Sequence, residues 1–418
     1  MERIEVELLI PGRGEPMTDA VVILDTGTIA YSGGVGGAPP PTAGDSVTSV
    51  PVVLPGLWEC HGHLSGVSTF DWRPWVTDPP ATRGARCAHG LQAALAAGVT
   101  SIREVGGLGV YLAQLVDEGL IDGPAIYGAG AILATTGGHA DIHGFPQAWM
   151  TGWWAQSGGD FRQCDGVDDC MRAVREQLRK NAKLIKVCAS GGVLSQVDDP
   201  IHQQFTAPEL RAMVEVAGMA DRIVAAHCHG KPGIMAALEA GVRTIEHGTY
   251  LDDEACDAMR ESGAILVPTR TVMSEALDAD LPPPTRAKLA AIADRHAAAV
   301  ALAHDRGVTI AMGTDIGLTG PDAPNSWGRN GRELPLLVEA GLTPLEAIEA
   351  ATANGPLTLG PQAPSSGVLD KGYAADVIAL DADPLNDITV MADPAHVIAV
   401  WRGGRRVKPP GSPPSATR

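Results

Sequence analysis

Two histidines one residue apart, His61 and His63, follow an apolar run from Val52 to Leu57. The run reads as a buried strand, and side chains at i and i+2 of an extended segment leave the same face. The two imidazoles therefore converge on one point just beyond the strand, where neutral histidine nitrogens suit a divalent metal such as zinc. Other groups able to do chemistry recur downstream at the ends of apolar runs. His139 closes Thr136-Gly137-Gly138-His139, Lys186 sits inside Leu184-Ile185-Lys186-Val187-Cys188, and His227 and His229 end Ala225-Ala226-His227-Cys228-His229. His247 follows Ile245-Glu246, and Asp315 follows Met312-Gly313-Thr314.

Lys186 calls for its own chemistry. A protonated ammonium has no lone pair to give a metal. Desolvation makes it lose its proton more easily, and the neutral amine can then add carbon dioxide to form a carbamate, in effect a long carboxylate able to bridge two metals. Lys183, three residues earlier, falls on the opposite face of the strand.

These groups need elements that bring them to one place. Four junctions share a signature of helical pattern, glycine, then β-rich run, at Gly98, Gly241, Gly263 and Gly307. Glycine just past a helix end is the left-handed cap from which a strand can start. With Val52–Leu57, Ala125–Ala129, Leu184–Cys188 and Ile223–Ala226 they give eight strand candidates, separated by helical segments such as Asp168–Asn181, Pro208–Met219 and Thr285–Asp305. That order predicts an α/β chain, a (β/α)8 TIM barrel whose active site lies beyond the C-terminal ends of its strands. A doubly wound sheet is the alternative, but no Gly-x-Gly-x-x-Gly fingerprint follows an early strand. Short strand-like runs in residues 1–53 and 361–410 predict a small β-sandwich built from both ends of the chain around a barrel of residues 54–360, with 411–418 as a tail.

Composition narrows the classes. A hydrophobic content of 45% against 19% charged residues belongs to a core-forming globular chain. A net charge of −18 argues against nucleic acid and anionic membrane as partners, because both demand a basic footprint. No apolar run approaches the roughly 20 residues that span a bilayer, and the first residues lack the basic and apolar regions of a signal peptide. The seven cysteines are scattered without a pairing pattern, and the expectation is a reduced, cytoplasmic protein.

The order His-x-His, Lys, His, His, Asp over eight strands resembles the amidohydrolase superfamily in its binuclear form with a carboxylated lysine. Leu369-x-x-Gly372-x-x-Ala375-Asp376 is similar to its closing β segment. Thr136–His139, Ile185-Lys186-Val187 with Gly191-Gly192-Val193-Leu194-Ser195, and Ile245-Glu246-His247-Gly248-Thr249 resemble the branch of prolidase-like Xaa-Pro and Xaa-Arg dipeptidases and ochratoxin-type amidases. The resemblance implies that His61, His63 and Asp315 hold one divalent ion, that His227 and His247 hold a second, and that carboxylated Lys186 bridges them. Zinc is the first choice, with cobalt, manganese or iron as others. It further implies a metal-bridging hydroxide attacking a small amide such as a dipeptide or N-acyl amino acid. Asp315 would act as acid–base and His139 would polarise the carbonyl. His229, Arg103, Tyr250, Arg270 and Arg329 are the expected substrate contacts, and a homo-oligomer is expected. Glu104 stands where an aspartate is common, and Trp327-Gly328-Arg329-Asn330 replaces a common His-Gly-x-Asn. Hydrolysis of a urea, carbamate or lactone is the alternative; a deaminase or a non-catalytic assembly protein fits the filled ligand set less well.

Overall fold

The glycines at the four junctions have φ of 89° (Gly98), 90° (Gly241), 67° (Gly263) and 70° (Gly307). Only glycine adopts this left-handed region without steric cost. The first three end a helix and turn the chain into a parallel strand, while Gly307 ends a helix ahead of a single bridge residue, Ile310, which pairs with Leu266 in place of the strand expected there. The structure is a computed structural model that describes residues 1–408 except 72, 155–159, 196, 279–280, 282, 321–322 and 324, with the side chains of 153–154, 276–278 and 284 likewise left aside. The expected tail at 411–418 lies outside the described residues.

From the N-terminus the strands are β1 (Glu2–Leu9), β2 (Met17–Asp25), β3 (Thr28–Gly34) and β4 (Ser46–Pro55). Next come β5 (Leu57–Val67), β6 (Val99–Glu104), β7 (Ala125–Gly128), β8 (Ile132–Ala134), β9 (Phe161–Gln163), β10 (Ile185–Cys188) and β11 (Val224–Cys228). They are followed by β12 (Thr244–His247), β13 (Ile265–Val267) and β14 (Ile316–Leu318), and the chain closes with β15 (Val377–Leu380), β16 (Val397–Arg402) and β17 (Arg405–Lys408).

The central strands form two parallel sheets, β14-β5-β6-β7 and β13-β12-β11-β10-β8-β9. Backbone hydrogen bonds relate them: Lys183 N–H donates to Gly128 O at 2.8 Å, and on the other side the segment 309–312 bonds both to Leu266 of β13 (Leu266 N–H to Thr309 O at 2.9 Å) and to β5 (Cys60 N–H to Met312 O at 2.9 Å). Helices Pro80–Ala96, Val167–Arg179, Ala207–Gly218, Lys231–Ala240, Asp253–Ser262 and Pro283–Asp305 alternate with them, which is the (β/α)8 order the sequence predicts. Among the described residues no helix is long and apolar enough to cross a membrane.

A further expectation is corrected. The run Val52–Leu57 is not one barrel strand. Val52–Pro55 pairs with β1 and β15 in the terminal sheet, while the barrel strand starts at Leu57. The chain pivots at Gly56, where a Cβ would lie 2.1 Å from Thr100 Oγ1. His61 and His63 consequently lie inside the long β5 rather than beyond a strand end. The termini come together in one hydrogen-bonded sheet, in the order β17-β16-β15-β4-β1-β2-β3. Strands from its two halves share a core of Ile4, Val22, Val50, Val377 and Trp401. Its other face, with Leu54, Ile378 and Val400, packs on Leu91, Leu95 and Val99 of the barrel.

Candidate metal centre and active site

Five of the six expected ligands sit on β5, β10, β11 and β12, and Asp315 immediately precedes β14, because the parallel order brings these strands' C-terminal halves together. Each imidazole has one nitrogen committed to the protein. His61 Nδ1 donates to Glu246 Oε2 at 2.6 Å, and His63 Nδ1 to Gly106 O at 2.8 Å. His247 and His229 pair through Nδ1 with Thr269 Oγ1 and Thr249 Oγ1, both at 2.7 Å, and His227 Nε2 donates to Gly191 O at 3.1 Å. Partners of this kind fix the tautomer and leave the other nitrogen for a metal. That other nitrogen of His63 is 3.1 Å from Asp315 Oδ1, and that of His61 is 3.6 Å from the same oxygen and 3.4 Å from Lys186 Nζ. Potential donor atoms of His61, His247 and Asp315 lie within 4.8 Å of one another, as do those of His227, His229 and His247.

The backbone is strained where it delivers these groups. His247, Thr269 and Asp315 have φ of 68°, 56° and 58°, a region costly for residues with a Cβ. They are tied down: His296 Nε2 donates to His247 O at 3.0 Å, and Asp315 N–H donates to His61 O at 2.8 Å. Asn325 Nδ2 donates to Asp315 O at 2.5 Å.

Electrostatics favour metal-binding forms. Burial, helped by the Lys186 charge, lowers the His61 pKa to about 4. Burial and mutual repulsion drive His227, His229 and His247 well below the ordinary histidine value. Burial likewise lowers Lys186, toward the free amine. For Asp315 burial opposes the charge, but His61 and His63 outweigh it and hold the carboxyl below its usual range. His63 differs: burial opposes its charge, but the bond to Asp315 outweighs burial and raises its pKa. The other, neutral imidazoles, an ionised carboxylate and a desolvated lysine make a donor set that fits divalent ions.

A cavity of about 440 Å³ opens from His63, His139 and Asp315. Its wall is largely apolar, with Phe70, Trp75, Ile132, Phe145, Phe161 and Val272. At its rim Arg73 donates through Nε to Asp71 at 2.8 Å. His139 stacks on His227, ring centres 4.2 Å apart, and its Nδ1 is 3.0 Å from Ser195 Oγ.

Not every expected contact reaches this cavity. Arg103 is fully buried, and its guanidinium is committed to Glu246, Thr244 Oγ1 and Cys60 O, so it lies behind His61 rather than facing substrate. Tyr250 instead faces Arg295, whose guanidinium carbon lies 4.4 Å from its ring centre, and Arg270 Nη1 is 3.4 Å from His296 Nδ1. Neither they nor Arg329 nor His229 line the cavity, and His229 stands instead with His227 and His247. Conversely, sequence reasoning gave no role to Glu246 or Glu59. Glu59 accepts His61 N–H at 2.8 Å, Thr314 Oγ1–H at 2.7 Å and Asn330 Nδ2–H at 2.7 Å, tying β5 to the Asp315 segment. The available signal was an acidic residue inside an apolar run, which is almost never buried unless paired.

The amidohydrolase family model matches residues 52–407. The chain belongs to the amidohydrolase family. It is 44% identical over 425 residues to the ochratoxinase of Aspergillus niger, covering 97% of this chain and 86% of that protein. The crystal structure of A. niger ochratoxinase superposes with a TM-score of 0.91 at 43% identity, covering 100% of this chain and 98% of that one. A Xaa-Pro dipeptidase solved with bound methionine gives a TM-score of 0.86 at 29% identity, covering 97% and 99%. As an amidohydrolase the chain is a hydrolase of carbon–nitrogen bonds in small molecules.

Proposed function

We propose that this amidohydrolase cleaves the amide bond of a small substrate with a bulky apolar group, a dipeptide or N-acyl amino acid, using two divalent ions, zinc first. His61, His63 and Asp315 would hold one ion and His227 and His247 the other, with carboxylated Lys186 a ligand that both would share. Bound there, the ions supply an activated water and a Lewis acid for the carbonyl. The observation that carries the reading is the convergence of His61, His63 and Asp315 at the head of the apolar cavity.

The chain's own residues do the rest. Asp315 takes a proton from the attacking water and delivers it to the leaving nitrogen. His139, beside His227, directs its free Nε2 at the scissile carbonyl, and His229 offers its free Nε2 to the substrate. Phe145, Phe161 and Trp75 exclude water from the apolar substituent. Arg103 acts through Glu246 to orient His61.

The deciding experiment is metal content per chain for wild type and Lys186→Ala, both produced with zinc and bicarbonate. Two ions in the wild type and fewer in the variant are expected; one ion in both would overturn the bridged centre. The seven buried free thiols support a reducing, cytoplasmic setting, and sedimentation analysis would test the homo-oligomer.

A further inference from the structure

Asp198 lies behind the cavity wall, on the loop that follows β10, with its side chain only 6% exposed. Its Oδ2 accepts Gly192 N–H at 2.6 Å and, more weakly, Gln204 Nε2–H at 3.5 Å. Each of these two residues in turn holds His139. Gln204 Oε1 accepts the His139 main-chain N–H at 3.0 Å. Gly192 passes against the ring, and its carbonyl accepts the Ser195 hydroxyl at 3.2 Å, whose oxygen is 3.0 Å from His139 Nδ1. Among the described residues the His139 ring is also the one basic group within 4 Å of the carboxylate, with Nδ1 3.9 Å from Oδ2. Lys288 Nζ binds the main-chain carbonyls of Ser195 and Asp198 instead, at 3.1 and 2.5 Å. An aspartate is rarely buried unless paired, and here Oδ1 is left without a partner. The contacts that the carboxylate does make all converge on one ring.

We infer that Asp198 is the positioning residue of His139: through Gly192 and Gln204 it seats the ring on His227 and aims Nε2 at the scissile carbonyl. The inference rests on the amide-hydrolase reading, in which His139 acts on that carbonyl, and adds the residue that holds it there. One carboxylate oxygen has lone pairs for both donors at once, so it can join two segments that are separate in sequence. Without it the Gly192 amide loses its acceptor, and the two clamps on His139 are no longer tied together. The zinc ligands keep their own hydrogen-bond partners, none of which is Asp198. A displaced His139 therefore costs turnover and leaves the metal centre in place.

The test is a double-mutant cycle on zinc-loaded protein, reading kcat and KM for hippuryl-L-phenylalanine together with zinc content. It compares wild type, Asp198→Ala, Asp198→Asn, His139→Ala and the double variant His139→Ala/Asp198→Ala. Asp198→Ala should lose about 10- to 100-fold in kcat, the scale of a misplaced group, with KM and zinc content close to wild type. Asp198→Asn still offers an oxygen to Gly192 N–H and should recover most of that loss. In the His139→Ala background, Asp198→Ala should cost about twofold or less, because two residues that act through one group are not additive. Should Asp198→Ala not fold, Asp198→Ser takes its place in the cycle, since its shorter side chain leaves Gly192 N–H without an acceptor. The full loss repeated in the His139→Ala background, zinc lost in step with kcat, or no recovery in Asp198→Asn would overturn the inference alone. His139→Ala as active as wild type would overturn the role of His139, and no turnover by wild type would overturn the amide reading, each taking this inference with it.

Discussion

Arg103 and Glu246 form a fully buried, two-pronged ion pair, with Nη2 2.8 Å from Oε1 and 2.7 Å from Oε2, and the same carboxylate holds His61 Nδ1 at 2.6 Å. Burial opposes the Glu246 charge, but Arg103 and His61 outweigh it and hold its pKa far below the usual carboxylate range. The pair fixes the ring of a residue whose other nitrogen faces Asp315 and Lys186. A basic residue expected to meet substrate thus works from behind the site.

Removing one partner of such a pair leaves an uncompensated buried charge, typically at a cost of about 3–5 kcal/mol. Arg103→Met should therefore destabilise the protein by that order and also lower its metal content, because Glu246 no longer presents His61. Arg103→Lys should recover only part, since one ammonium cannot meet Glu246 and also replace the Nε and Nη1 bonds to Cys60 O and Thr244 Oγ1. Denaturant unfolding with metal analysis checks both, and an unchanged midpoint with full metal would refute the role.

The parts of this arrangement differ in how far the sequence reveals them. The spacing of His61 and His63 shows through because extended chain repeats every two residues, and the junction glycines because a left-handed cap strongly prefers that residue. The sequence does not tell which sheet Val52–Pro55 joins, because an apolar run buried on both faces says nothing about which strands flank it. The place of Arg103 is hidden for a related reason. An arginine on a barrel strand has the same local sequence whether it points at solvent, substrate or a buried glutamate, and its partner Glu246 lies 143 positions away. The cavity wall lies beyond the reach of local pattern, since Phe70 and Phe145 come from separate connecting segments and Phe161 from the short edge strand β9.

Glu104 provides a pH-dependent test. Burial pushes its carboxyl up to about 7; the nearby His63 and the Gly109 N–H at 3.3 Å offset this only in part, and Oε2 has no partner. In the unfolded chain the group titrates near 4.3. Between these values the folded protein binds the extra proton, so stability falls as pH rises from about 4.3 to about 7 and the cost persists above. The shift corresponds to ~4 kcal/mol at most. In chelator-treated protein, Glu104→Gln should gain stability over wild type at pH 8 relative to pH 5. Equal differences at both pH values, read from urea midpoints, would contradict this.

Gly192 tests His139 without altering a reactive group. A Cβ there would lie 2.0 Å from His139 Nδ1 and 2.2 Å from its Cε1, so Gly192→Ala must displace the ring from its place on His227. A shift of about 1 Å in a positioned group can cost on the order of 100-fold in rate. Turnover should fall by that order while metal content stays near wild type. Full activity in Gly192→Ala would mean that His139 does not act on the carbonyl.

Asp315 carries the strongest chemical commitment, and its neutral isostere separates two duties. Its Oδ1 lies 3.1 Å from His63 Nε2 and 3.6 Å from His61 Nε2, in reach of an ion they would share. Its backbone is fixed from both sides, by His61 O and Asn325 Nδ2, neither of which depends on the carboxylate. Asp315→Asn should therefore fold, keep its oxygen in place and still bind metal. It cannot carry a proton from water to the leaving nitrogen, so turnover should drop by roughly 10²–10⁴-fold. Calorimetric zinc binding alongside kcat on the best substrate distinguishes the cases. Metal lost together with activity would make Asp315 a ligand only, and near-normal turnover would move the proton transfer to another group, with His139 the next candidate.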